Sequence, residues 1–342
     1  MKNTVHSLVA KACLTACLTT CLIATPLRAD MVDEIIDDQI LPGMAALTEM
    51  SQDLALTSQS ACRATDETLQ RAFGTAFDAW IQVSHLRFGP TEAENRAFAL
   101  SFWPDSRGKI PKTLAAILRR QDTTLLPAEE FAKTSIAGRG FYALEYLLYD
   151  PALRSQPDTA FTCQLVQALS QDIAGTAAAI NHDWVESYAA QMRRASGRYA
   201  DKTEVKQELY KSLNTGLQML ADMRLGRPLG SFDAPRPKRA EAWRSGRSQH
   251  HIVLALQSLQ PLATALADGD QPLITQVEAA FTKPLTRALR LEDPRLQGVS
   301  DPAQRFRIEA LQQEINDLRT LIEQELGPSL GVLAGFNSLD GD

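Results

Sequence analysis

Apolar residues recur along most of this chain at three- and four-residue spacing, the period that lays one stripe down an α-helix. Between residues 68 and 86, Leu69, Phe73, Phe77, Trp80 and Ile81 fall on one such stripe. The same pattern runs over 161–188, over 205–224 with Leu209, Leu213, Leu217 and Leu220, and over 302–326. No run alternates apolar and polar residues between hairpin turns, so the pattern predicts an all-α protein. Turn-forming residues interrupt it at 87–90, 103–111, 149–158 and, most heavily, 227–237. The intervals hold about four helices before residue 200 and about four after it. The expected architecture is therefore two packed helical bundles, residues 30–199 and 200–342, and the matching counts admit a distant duplication of one bundle.

The start of the chain changes that picture only for residues 1–29. Lys2, His6 and Lys11 precede a short, mostly apolar run from Ala12 to Leu27, which reads as a secretory signal peptide cleaved after Ala29. A rival layout is a lipoprotein box at Leu14-Thr15-Ala16-Cys17, but it leaves almost no apolar segment between Lys11 and the cysteine. Periplasmic export is the expectation. Losing Lys2, Lys11 and Arg28 with the leader takes the formal charge from −6 to −9, a poor match for nucleic acid. No later run reaches the roughly 18 apolar residues that a membrane span requires. Of the five cysteines, Cys62 and Cys163 follow the leader. In an oxidising compartment they suggest one disulfide, two separate buried thiols being the alternative.

One cluster of motifs points to a family. Gly140-Phe141-Tyr142-Ala143-Leu144-Glu145 lies over the pattern G-x-H-x-x-E. Around it are Phe88-Gly89-Pro90, Phe102-Trp103-Pro104-Asp105, the segment from Arg239 to Ser248, and a C-terminal Gly335-Phe336-Asn337-Ser338-Leu339-Asp340-Gly341-Asp342. In their order and spread over the chain these resemble the imelysin family, bacterial exported proteins linked to iron acquisition and once proposed to be metallopeptidases. The resemblance implies two helical bundles with a site near the G-x-H-x-x-E helix, between the halves. Gly140 and Glu145 carry over. The histidine does not, because Tyr142 stands in its place.

Tyr142 and Glu145 are three residues apart and share a helix face, so a phenol and a carboxylate could reach one ligand. Both offer oxygen, which suits iron or calcium better than zinc; the bland alternative is a hydrogen bond within the bundle. There is no H-E-x-x-H, the usual helical peptidase signature. A peptidase would need Glu145 together with a histidine from elsewhere, of which His85, beside Arg87 and the turn at 88–90, is the best placed. His182 and Glu186 have ligand spacing but sit among polar residues. His250 and His251 are adjacent, and their directions differ by about 100° on a helix, so they are expected not to face one site together. The stretch from Arg236 to Arg247 concentrates Arg236, Lys238, Arg239, Arg244 and Arg247 in an acidic protein. It could hold a carboxylate or phosphate, helped by a helix beginning at Ser245-Gly246, or pair Arg244 or Arg247 with Glu145 or Asp105 between the bundles. The four tryptophans read as core or interface residues. Three functions follow: a non-catalytic periplasmic binding protein for iron or a small anionic ligand, a metallopeptidase, or a helical module docking a membrane or periplasmic partner.

Overall fold

The structure is a computed structural model that describes residues 30–154 and 159–332. The leader, the Cys17 box and the C-terminal motif at 335–342 lie outside those residues. Among the described residues the protein is all-α and contains no strand. Ten helices carry the fold: α1 (31–60), α2 (Glu67–Val83), α3 (Arg96–Leu100), α4 (Lys109–Arg120), α5 (Gly140–Tyr149), α6 (160–194), α7 (202–229), α8 (Ser248–Leu266), α9 (Gln271–Leu289) and α10 (302–329).

Their starts follow ordinary capping chemistry, in which a short polar side chain accepts from the free amides of the first turn. Asp30, Thr159, Asp201, Asp270 and Asp301 cap α1, α6, α7, α9 and α10 in this way. Several helices run further than the periodicity suggested. Helix α6 continues through a π turn at Trp184–Tyr188, and α7 through another at Met219–Leu225, so the expected break at Arg227 begins only after Leu229. A π turn inserts one residue per turn and rotates the stripe without ending the helix.

Helix α1 packs between α2 and α6, and α5 lies on α6. In the second half α8 packs on α7 and α9, and α10 on α7 and α9. Helix α8 also crosses to α2 and to the start of α1, so one hydrophobic core runs through both groups of helices. Trp80 and Trp184 are fully buried in it. Cys62 and Cys163 form a disulfide tying the α1–α2 turn to the start of α6. No helix of the described residues is long and apolar enough to cross a membrane.

Candidate functional site

The motif helix α5 starts where only glycine fits. Gly140 has φ +73°, and a Cβ there would collide with the carbonyls of Ala99 and Leu100 at the end of α3. The preceding Arg139 holds α5 on α6 through two hydrogen bonds to Asp172, at 2.9 and 2.7 Å. Helix α5 thereby enters the core with Phe141 stacked on Phe77 at 4.8 Å and Tyr142 edge-on to Phe77 at 5.2 Å. Phe77 also meets His251 of α8, edge-on at 4.6 Å.

Around that ring lies a buried polar network centred on Glu241, in the turn segment between α7 and α8. Its carboxylate accepts from Tyr142 Oη at 2.6 Å and from Arg224 Nε at 2.6 Å, and lies 3.3 Å from His251 Nδ1. The Glu241 carbonyl accepts from Ser248 Oγ at 2.6 Å. Burial opposes the Glu241 charge, but Arg224 and His251 overcome it and hold the carboxyl well below the usual range. Tyr142 moves the other way: burial, then the charge and hydrogen bond of Glu241, push its phenol well above 10.0. The phenol is a fixed proton donor. His251 is kept below its usual value by burial, which outweighs the pull of Glu241.

Glu145, one turn along α5, is separately satisfied. Its Oε1 accepts from the backbone N–H of Ser245 at 2.9 Å and from Ser245 Oγ at 2.7 Å, while burial raises its pKa. The amide expected to assist a bound anion therefore holds a carboxylate of the protein itself, and α8 begins at Ser248 rather than at Ser245-Gly246. The cation pairs also differ from those expected. Arg244 bonds Asp150 at 2.8 Å and lies 3.5 Å from the Tyr146 ring centre and 4.5 Å from that of Trp243. Arg247 passes over Gly74 to Asp78 on α2, with Nε at 3.0 Å. Asp105 is consumed as a cap, accepting from the Lys109 and Ile110 amides at 2.8 Å each.

Tyr142, Glu145, Asp105 and Arg244 nonetheless converge, because all four line one cleft of about 100 Å³ between α5 and the 237–244 segment. Its remaining walls include Trp103, Trp243 and three cations, Arg227, Lys238 and Arg239. Among the described residues none of these three has an acidic partner. Arg227 lies over Trp103 and Lys238 over Trp243, each 5.9 Å from the ring centre. Arg227 Nε is buried without a hydrogen-bond partner, and burial followed by the nearby Arg239 lowers its pKa.

The remaining candidates fall elsewhere. Arg87 pairs with Glu92 and covers Phe98. His85 lines a different cavity, of about 340 Å³, with Ile35, Pro42 and Pro261. Burial, aided by Arg224, lowers its pKa to about 4, so the ring is neutral. His182 and Glu186 are both exposed. His250 and His251 do reach one residue, at 3.0 and 3.8 Å from Asp78, because Asp78 faces the edge of the first turn of α8 where their divergent rings can straddle it. The central residues that the motif reading missed are Arg224, Glu241 and Asp78. Arg224 carried a signal: it continues the stripe Leu213, Leu217, Leu220 by one more step of four.

No curated protein sequence matches the chain. Among solved structures, an imelysin-like protein from Psychrobacter arcticum superposes with a TM-score of 0.75 at 19% identity, covering 89% of this chain and 96% of that one. A protein provisionally named iron-regulated protein A precursor, from Parabacteroides distasonis, gives a TM-score of 0.71 at 14% identity, covering 88% and 93%. At these identities both report fold. The family model described as Imelysin matches residues 40–322, nearly the whole described chain, and the protein belongs to the imelysin family.

Proposed function

We propose that this protein is an exported, non-catalytic binding protein whose two helical bundles hold a small anionic ligand in the cleft beside Tyr142 and Glu145. The observation that carries the reading is the convergence of Arg227, Lys238 and Arg239 on a tryptophan-walled cleft whose two carboxylates, Asp105 and Glu145, bond to other donors instead of to these cations. The partly buried Arg227 guanidinium gains most from an anion that replaces its lost hydration, and the exposed Lys238 and Arg239 add charge at the rim. A disulfide between Cys62 and Cys163 supports export to an oxidising compartment such as the periplasm.

The residues at 142 and 145 do not fit a bare iron ion, with Tyr142 standing where the family pattern carries histidine. A phenol that donates to Glu241 and has a raised pKa is a poor tyrosinate ligand, and Glu145 Oε1 already accepts two hydrogen bonds. The described residues also contain no group of three or more histidines, cysteines or carboxylates placed to hold a metal. Iron as cargo, which the resemblance to a family linked to iron acquisition implies, would enter this cleft as an anionic chelate. A metallopeptidase would need a histidine beside Glu145, and His85 lines another cavity.

Trp103 and Trp243 supply the assay. Their fluorescence is expected to change on titration with oxalate or ferric oxalate and not with ferric chloride, and an Arg227→Gln, Lys238→Gln variant is expected to bind roughly tenfold or more weakly. Stoichiometric uptake of the uncomplexed ferric ion, lost in Glu145→Gln, would overturn the reading in favour of direct metal coordination.

A further inference from the structure

Helix α9 carries two contrasting stripes. Leu273, Val277, Phe281 and Pro284 are buried in the core. Ala279, Thr282, Lys283, Thr286, Arg287 and Arg290 form a second stripe at steps of three and four, facing α10 across a groove of about 580 Å³. Helices packed side by side usually fill such a seam with apolar side chains. This one is open, cationic and within the size range of small-molecule sites.

The opposite wall comes from Arg307 and Glu314 on α10. Glu314 is 5% exposed, and its Oε1 is shared by Arg287 at 2.6 Å and Lys283 at 3.7 Å. Its Oε2 is buried and has no hydrogen-bond partner. A buried carboxylate oxygen left bare costs free energy, and because Glu314 lines the groove a small rotation of its carboxyl group lets this atom accept from a donor there. Arg290 and Arg307 are both exposed and have no acidic partner among the described residues. Arg307 and Glu314 are seven residues apart on α10, roughly 10 Å along the axis at 1.5 Å per residue. A small molecule joined to the reach of an arginine side chain covers that distance.

We propose that the α9–α10 groove is a second ligand site, distinct from the cleft at Tyr142, for a small polyanion carrying a hydroxyl group. Its anionic groups pair with Arg290 and Arg307, and its hydroxyl donates to Glu314 Oε2. A molecule with either feature alone satisfies half of the groove.

Titration calorimetry on the mature protein with citrate and with tricarballylate, which differ only in the hydroxyl, tests both halves. Citrate is expected to bind, and tricarballylate roughly tenfold more weakly for want of one charge-assisted hydrogen bond. Arg290→Gln, Arg307→Gln is expected to lose tenfold or more in citrate affinity while keeping its helical circular dichroism. Oxalate binding in the cleft, read from Trp103 and Trp243 fluorescence, is expected to stay unchanged in that same variant, which separates this site from the cleft. Absence of saturable citrate binding, or full affinity in the Arg290→Gln, Arg307→Gln protein, would overturn the site. Equal affinity for the two acids would overturn the role of Glu314.

Discussion

Replacing Arg224 with alanine removes the cation that permits Glu241 to be ionised inside the core. The side chains of Arg224 and Glu241 are 6% and 5% exposed, and their 2.6 Å bond is shielded from water on every side. Breaking a buried pair by deleting one partner costs about 3–5 kcal/mol, because the remaining charge stays desolvated. The pH dependence gives the sharper test. In the wild type the Glu241 carboxyl lies below its ordinary value of 4.5, so its stabilisation is present above that value and is lost as pH falls through the folded-state pKa. Without Arg224, burial dominates and the folded-state pKa rises above the unfolded one. The deficit is then fully present at neutral pH and shrinks as acid protonates Glu241 in the folded protein. Protonation of His251, 3.3 Å away, relieves it in the same direction. Guanidinium unfolding of both proteins at pH 7.5 and pH 5 measures the difference. A deficit that stays constant or grows toward pH 5 would refute the assignment of Arg224 as the counter-charge of Glu241.

Two further outcomes follow from the same geometry. Substituting serine for Cys62 and Cys163 opens a loop with a sequence separation of 101, which in the chain-entropy model costs roughly 4–5 kcal/mol; thermal unfolding should fall to the same midpoint in the variant and in the reduced wild type. Gly140→Ala places a methyl group against two carbonyls at a positive φ and is expected to cost more than the roughly 1 kcal/mol of an unhindered left-handed site. Loss of the Tyr142–Glu241 contact should accompany it, seen as a change in tyrosine absorbance.

The helices were legible because each buries a stripe with a simple period, and the ends were less so because π turns, and Pro111 in the first turn of α4, extend helices where composition suggests breaks. The motif helix was legible through Gly140, whose positive φ only glycine tolerates without strain. Its partners were not. Tyr142 and Glu241 are 99 residues apart, and Arg247 and Asp78 169 apart, so their pairing depends on how α8 crosses α2, which no local pattern encodes. A charged residue on a buried stripe is a usable clue. Arg224 extends the apolar stripe of α7, and Glu314 sits between Leu311 and Leu318 on that of α10. Burial of a charge requires a partner, and both residues mark polar centres of the folded molecule.

The phenol at position 142 decides what the cleft can do. An imidazole there would present one nitrogen to Glu241 and leave a second, able to accept a proton or ligate a cation, for the cleft. Tyr142 has only one polar atom, and that atom donates to Glu241 at 2.6 Å with its pKa driven upward. Its polar group is thus directed into the core network, and what remains of it toward the cleft is ring, 6.4 Å between centres from the Trp103 ring and tilted 26° to it. Oε1 of Glu145 is likewise taken by Ser245, and both oxygens of Asp105 by the amides that open α4. Arg227 is left with a buried Nε that has no hydrogen-bond partner, and the exposed cations Lys238 and Arg239 stand beside it without an acidic partner among the described residues. On the proposed reading, cations without acidic partners beside a phenol turned into the core select for negative charge in what the cleft binds.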